Sequence, residues 1–105
     1  KDEAQPLLLS VASLVKKTRN EIVIEGHTDT VPIQSAQYPS NWELSSARAT
    51  SVLRYFLNDH TNNPSRFSAA GYSGYRPIAP NTTPDGRAKN RRVDIIFVSA
   101  KNGTN

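Results

Sequence analysis

The sequence predicts an α/β two-layer sandwich, with helices on one face of a small mixed sheet. Hydrophobic periodicity follows the order helix, strand, helix, strand, short helix, strand along the chain. The 105 residues, 36% of them hydrophobic, suffice for one domain with one modest core. Residues 21–72 have the pattern strand, helix, strand, which predicts a right-handed crossover between parallel strands.

The first helix is expected over residues 1 to about 18. Its apolar residues recur at helical spacing and predict one buried stripe, formed by Leu7, Leu8, Val11, Leu14 and Val15. Because the polar face is not strongly basic, we favour packing on the sheet over binding to a membrane surface.

The first strand is predicted over 21–27. Three consecutive β-branched residues at 22–24 are typical of a strand buried on both faces. Gly26 would let the backbone pass close to a neighbouring element. The loop at 28–40 is long for a compact domain, and such loops are often binding loops.

The second helix should begin at Asn41, because Ser40 and Glu43 have the spacing of a capping box. The face that packs on the sheet is predicted to contain Ser45, Ala49, Val52 and Phe56, with Trp42 and Leu53 beside it. Arg48 lies at the edge of this face. Its side chain should lean toward the helix N-terminus, where the preceding strand ends.

The remaining elements are a strand at 66–72, a short helix at 84–90 and a last strand at 93–98. Alternate residues of the last strand share a face, which predicts that Val93, Ile95 and Phe97 point one way and Ile96 and Val98 the other.

The domain is assigned to residues 1–98, and 99–105 is predicted to be a disordered tail. Three strands make a thin sheet, and the chain begins at Lys1 instead of Met. We therefore expect a first strand to lie upstream.

Composition excludes some classes of site. The chain has no cysteine, so it has neither a disulfide nor a thiolate metal site. No apolar run approaches the roughly 20 residues of a membrane span.

The formal charge of +4 includes a basic cluster formed by Arg87, Lys89, Arg91 and Arg92. Because few aromatic residues accompany this cluster, we expect no nucleic-acid partner and at least one buried, structural arginine.

Asp29 and Arg48 form the candidate binding site. Ligands of open α/β sheets bind at the C-terminal ends of the strands, where Asp29 lies and which Arg48 can reach. A carboxylate accepts hydrogen bonds from an ammonium group, and a guanidinium binds a carboxylate with two parallel hydrogen bonds. Together they would suit the head group of an amino acid. The alternative is a structural salt bridge between the two residues.

Four separated motifs occur in a fixed order. They are GHTD at 26–29, Asn41-x-x-Leu44-Ser45-x-x-Arg48-Ala49, Gly71-Tyr72, and Gly86-Arg87-Ala88-x-Asn90-Arg91-Arg92-Val93. This set resembles the OmpA-like peptidoglycan-binding domain over roughly residues 5–98. The segments VPI at 31–33, PSNWELSSARA at 39–49 and YRPIAPN at 75–81 are similar to the periplasmic domain of flagellar motor stator B subunits (MotB and PomB).

The resemblance implies an OmpA-like fold and a non-catalytic domain that binds peptidoglycan and needs no cofactor. It assigns Asp29 and Arg48 to the free amino-acid end of diaminopimelate in the peptide stem. It adds further residues to the binding site, namely Thr28, Asn41, Leu44 and Arg91. It also implies a homodimer in the periplasm and an inner-membrane helix upstream of this chain that contacts the stator A subunit.

Other interpretations use the same residues differently. An outer-membrane tether of the Pal or OmpA type would share the binding chemistry. A peptidoglycan hydrolase is disfavoured because the sequence contains neither a nucleophile elbow nor an HExxH motif. Glu25 and His27 share a strand face, but we find no third ligand at a suitable spacing, so we expect a structural histidine and no metal.

Overall fold

The computed structural model of the protein describes residues 5–99, with side chains from Leu9 onward. In chain order, the elements are helix α1 (Gln5–Lys17), strand β1 (Ile22–His27), helix α2 (Asn41–Leu57), a 3-10 turn (Pro64–Arg66), strand β2 (Phe67–Gly71), helix α3 (Pro84–Asn90) and strand β3 (Arg92–Phe97). The predicted order is confirmed, and the 3-10 turn is an addition. Residues 1–4 of the predicted first helix and 100–105 of the predicted tail lie outside the described residues.

The three strands form one mixed sheet in the order β2-β1-β3. Strand β1 runs parallel to β2, with Ile22 opposite Phe67, which confirms the predicted parallel crossover. It runs antiparallel to β3, with Ile22 opposite Phe97 and His27 opposite Arg92. Strand β1 is therefore central, and its C-terminal end lies beside the start of β3.

The core lies between the sheet and the helices. Its fully buried apolar residues are Val15, Ile22, Ile24, Ala49 and Phe56. The alternate residues of β3 predicted to share a face, Val93, Ile95 and Phe97, all pack against this core. The helices therefore cover one face of the sheet, as predicted.

The opposite face of the sheet is more open, which corrects one prediction. Val23 and Glu25 of β1 are only half-buried, although the apolar run at 22–24 predicted burial on both faces. On β3, Ile96 is 39% exposed. The face is open around Val23 and Ile96, whereas His27 at the end of β1 is buried and stacks on the ring of Tyr72.

One residue predicted for the apolar stripe of α1 lies outside it, and the side chains of two others, Leu7 and Leu8, are not among those that the structure describes. Val15 is fully buried, and Val11 and Ala12 pack against the core beside it. Leu14 was expected in the same stripe but is 50% exposed. No helix among the described residues has the length and hydropathy that a membrane crossing requires.

Strand β1 and helix α2 approach each other at Gly26. A Cβ atom at this position would overlap the carbonyl oxygen of Ser45. This contact confirms the close backbone approach predicted for Gly26. It also brings the C-terminal end of β1 next to the first turns of α2.

The loop after β2 is bound to the same region. Ser73 adopts a left-handed backbone conformation with φ 55°. Its N–H donates to Ser45 Oγ at 3.0 Å, and its carbonyl accepts the Thr28 N–H at 2.9 Å. These bonds join the loops that follow β1 and β2 to helix α2.

Candidate ligand-binding site

A cavity of about 240 Å³ lies between the end of β1, the start of α2 and the start of β3. Its lining includes all six residues that the sequence assigned to a binding site, namely Thr28, Asp29, Asn41, Leu44, Arg48 and Arg91. The structure therefore brings the predicted residues together. Their binding to a ligand remains a prediction.

Asp29 is held from two directions. Its Oδ2 atom accepts a hydrogen bond from an Arg91 Nη1–H at 2.7 Å, and its Oδ1 atom accepts the Val31 N–H at 3.0 Å. The residue is only 7% exposed. The carboxylate is thus fixed in one orientation at the end of the central strand.

This pairing shows that the alternative of a structural salt bridge between Asp29 and Arg48 was wrong, whereas the ligand clamp formed by these two residues stays a prediction. The ion pair is made with Arg91. The physical reason is strand register. His27, the last residue of β1, lies opposite Arg92, the first residue of β3. Because the strands are antiparallel, the residues that follow His27 lie near those that precede Arg92.

Arg48 lines the same cavity from α2 and is half-buried. Within residues 5–99, its guanidinium makes no hydrogen bond or ion pair. The cavity therefore contains a carboxylate that is already oriented and a second cation that is not yet paired. Such a cation is suited to binding a carboxylate of a ligand.

The long loop at 28–40 is attached to the start of α2. Asn41 Nδ2 donates to the Val31 carbonyl at 3.0 Å. Ser40 caps the helix by accepting the Trp42 N–H at 3.1 Å, and its hydroxyl donates to Glu43. This hydrogen bond lowers the pKa of Glu43. The predicted helix start is confirmed, and the loop is held against it.

A second cavity of about 300 Å³ adjoins the first and shares Asp29, Pro32, Ile33 and Asn41 with it. On its rim, the rings of Trp42 and Tyr75 stack with centroids 5.5 Å apart. Trp42 is 50% exposed, although it was predicted beside the packed face of α2, and Tyr75 is 75% exposed. Because Trp42 and Tyr75 are far apart in the sequence, no local pattern predicted this contact.

Asn90 is a structural residue in the last of the four motifs, and no role was predicted for it from the sequence. It is fully buried. Its Oδ1 accepts the N–H groups of Ile78 and Ala79, and its Nδ2 donates to the Ala79 carbonyl and to Asn81 Oδ1. These four bonds fix the loop before α3 and the position from which Arg91 extends.

The basic cluster is largely engaged within the fold. Arg87 donates to the Asn81 carbonyl at 2.9 Å, and Arg91 pairs with Asp29. The side chain of Arg92 is 16% exposed and pairs with Asp94. Arg92 therefore has the structural role predicted for one arginine of the cluster, but it is only partly buried, whereas full burial was predicted.

A third group of ionisable residues lies on the open face of the sheet. Asp94 joins Glu25 and His27, and the nearest ligand atoms of the three lie within 4.8 Å of one another. The sequence-based statement that no third ligand is available was therefore wrong. Asp94 is far away in the sequence, and strand pairing places it opposite Glu25.

The chain belongs to the OmpA family, which it matches over residues 1–91. The fold described above and the placement of three of the four motifs around one cavity agree with this assignment.

Several individual proteins are similar to most of this chain. The chain is 39% identical over 98 residues to Motility protein B of Bacillus subtilis, covering 91% of this chain and 37% of that protein. Among solved structures, the C-terminal domain of Helicobacter pylori MotB has a TM-score of 0.84 at 29% identity, over 95% of this chain and 75% of that one. The cell wall anchor of the T6SS from Pseudomonas aeruginosa has a TM-score of 0.82 at 43% identity, over 94% and 69%. The chain thus spans well under half of the Motility protein B that it resembles.

Proposed function

We propose that this chain is a non-catalytic peptidoglycan-binding domain that acts in the periplasm as the wall anchor of a flagellar motor stator B subunit. The observation that carries the proposal is the cavity between β1, α2 and β3. It contains an oriented carboxylate, Asp29, and a guanidinium, Arg48, that has no partner within residues 5–99. The similarity to Motility protein B and to a cell wall anchor supports the same class of ligand.

The ligand proposed for the cavity is the free amino-acid end of diaminopimelate. An ionised carboxylate offers about four lone-pair sites, and Asp29 uses two of them for Arg91 and Val31. It can still accept a hydrogen bond from an ammonium group. Arg48 would bind the adjacent carboxylate. Hydrogen bonds to charged groups are worth about 1.5–3 kcal/mol each, so two give a specific site of modest affinity.

The remaining predicted residues shape the cavity around this head group. Thr28 and Leu44 contribute to its walls, and Asn41 holds the loop that forms its rim. Arg91 acts in this proposal by orienting the Asp29 carboxylate, and its positive charge lies beside the same cavity.

The cavity favours binding over hydrolysis. Glycoside hydrolysis requires two carboxylates on either side of the scissile bond, and Asp29 is the one carboxylate among the residues that line this cavity. Asp29 is also engaged by Arg91, which suits a fixed acceptor better than a proton donor.

The test is a pull-down with purified sacculi. Asp29→Ala and Arg48→Ala are expected to fold and to lose binding, whereas Arg54→Ala should bind normally. Arg54 is the matched control because it is an exposed arginine on the same helix. Retained binding by both site variants would contradict the proposed clamp. Release of soluble muropeptides from the sacculi by the wild-type chain would support a hydrolase instead.

The proposed stator role also concerns the partners of the domain in the cell. A stator B subunit would form a homodimer, and a membrane helix upstream of this chain would contact the stator A subunit. A chimera of Bacillus subtilis Motility protein B that carries this chain in place of its matching segment should restore swimming.

A tether outside the flagellar motor is the second candidate, favoured by the 43% identity to the cell wall anchor of the T6SS. The same chimera separates the two. A chimera that is produced and binds sacculi, but does not restore swimming, would favour this tether over the stator.

A further inference from the structure

Two carboxylates and an imidazole meet on the open face of the sheet. Glu25 on β1 lies directly opposite Asp94 on β3, and His27 follows two residues along β1 on the same face. Carboxylates placed directly opposite each other in neighbouring strands destabilise a sheet. The arrangement is therefore unfavourable unless a positive charge offsets it.

His27 is buried between these groups. The residue is 1% exposed, and neither of its ring nitrogens forms a hydrogen bond within the described part of the chain. Buried polar atoms in proteins nearly always have a partner, so an unpaired ring nitrogen in the interior requires an explanation. The ring of Tyr72 stacks on the imidazole at a centroid distance of 5.4 Å, which fixes its plane.

The Nε2 atom of His27 is aimed at both carboxylates. It lies 3.6 Å from Glu25 Oε1 and 3.4 Å from Asp94 Oδ2. Both distances exceed the range of about 2.7–3.2 Å for a well-formed hydrogen bond to nitrogen. They agree with another geometry, because ligand atoms about 2.0–2.2 Å from a tetrahedral zinc ion lie about 3.3–3.6 Å from one another.

We propose that Glu25, His27 and Asp94 bind one divalent transition-metal cation of the zinc class. One imidazole and two carboxylates are ligands that such a cation accepts, and water would complete its coordination. Solvent can reach the site through Asp94, whose side chain is 39% exposed. The pKa of His27 is lowered, chiefly by burial, which favours the neutral imidazole that a metal requires.

Arg92 limits the strength of this site. Its Nε–H donates to both oxygens of Asp94 at 3.1 and 3.2 Å, which orients the carboxylate. Its positive charge also opposes a second cation nearby, so the affinity should be below that of a closed structural zinc site.

The bound cation would join β1 to β3 beside the proposed ligand cavity. Asp29 follows His27 by two residues, and Arg91 immediately precedes β3. The cation would therefore stabilise the two strand ends from which the Asp29–Arg91 ion pair extends. This proposal does not depend on peptidoglycan binding.

The test is calorimetric titration of the untagged, chelator-treated chain with zinc chloride. The expected result is one saturable site per chain, with an affinity at least about ten-fold lower in Glu25→Gln and in Asp94→Asn. The chain has two histidines and no cysteine, so few competing sites exist. His60→Gln and Glu43→Gln, at exposed positions, are the matched controls and should bind normally.

Thermal unfolding provides a second measurement. Zinc should raise the melting temperature of the wild type, because an ion that binds only the folded state stabilises it, and at the same zinc concentration should raise that of Glu25→Gln by less. The absence of saturable binding would overturn the proposal. Unchanged binding by Glu25→Gln, or loss of binding in His60→Gln alone, would also overturn it.

Discussion

Asp29 and Arg91 are 62 residues apart in the sequence, and their side chains meet at 2.7 Å at the rim of the candidate cavity. The pair holds the Asp29 carboxylate in place and leaves Arg48 unpaired among the described residues. The two arginines beside this cavity therefore have different roles. Arg91 orients the acceptor, and Arg48 is available to a ligand.

Replacing Arg91 with alanine should weaken sacculus binding without unfolding the protein. The Arg91 side chain is 45% exposed, so loss of the ion pair should cost at most about 1 kcal/mol of stability. Loss of the Asp29 orientation should reduce affinity about ten-fold, or about 1.4 kcal/mol, which is less than the effect of Asp29→Ala. Lys89→Ala, at a nearby exposed position, is the control. Binding equal to wild type in Arg91→Ala would show that Val31 alone orients the carboxylate.

Replacing Asn90 with alanine should strongly destabilise the fold. The change leaves the N–H groups of Ile78 and Ala79 and one carbonyl without their partner. These groups lie in a part-buried loop, so each one left unpaired should cost about 1 kcal/mol, the lower end of the range for buried groups, and the total loss should be about 3 kcal/mol in urea unfolding. Asn63→Ala removes an exposed cap and should cost only about 1 kcal/mol. Equal losses for the two variants would contradict the role given to Asn90.

Replacing Gly26 with alanine should prevent the normal packing of β1 on α2. The added methyl group would meet the Ser45 carbonyl, which is backbone and cannot rotate away. We expect a loss of at least about 3 kcal/mol, in the upper range for overpacking. Urea unfolding followed by circular dichroism measures it. An unfolding midpoint close to that of the wild type would contradict the close approach of the two elements.

Stability should fall as the pH drops below about 6.5 in metal-free buffer. Burial, assisted by Arg92, lowers the pKa of His27 below its usual 6.5, against the opposing effect of Asp94 and Glu25. Below pH 6.5 the unfolded chain binds a proton at His27 more readily than the folded chain does. The stability contributed by neutral His27 is therefore fully present above pH 6.5 and is lost as the pH falls below it.

The pH dependence can be assigned with three variants. His27→Gln should remove this part of the slope in melting temperature between pH 7 and 5, and His60→Gln should keep it. Because His27→Gln is a change in the interior, Arg92→Gln offers a second test. It removes a charge that lowers the His27 pKa, so it should reduce the slope. An unchanged slope in both His27→Gln and Arg92→Gln would contradict the assignment.

Local sequence signals predicted most of the fold. Ser40 and Pro84 mark helix starts that the structure confirms, and alternation predicted the inner face of β3. The six candidate residues share one cavity because the motifs that contain them lie just after β1, in the first half of α2 and just before β3.

The remaining features depend on contacts between distant segments. The Asp29–Arg91 pair and the addition of Asp94 to Glu25 and His27 both follow from the register of β3 against β1, which no local pattern encodes. The open face beside Val23 likewise depends on which elements cover the sheet. Hydrophobic periodicity describes a strand but not its covering layer.

The central position of β1 has a mechanical consequence for an anchor. Asp29 lies just beyond the end of this strand, so a pull on a ligand held there would be directed into β1. Strand β1 is hydrogen-bonded to a neighbour on each side. Tension along it would load both rows of hydrogen bonds together, and the strand would have to slide past two partners at once before the domain released its load.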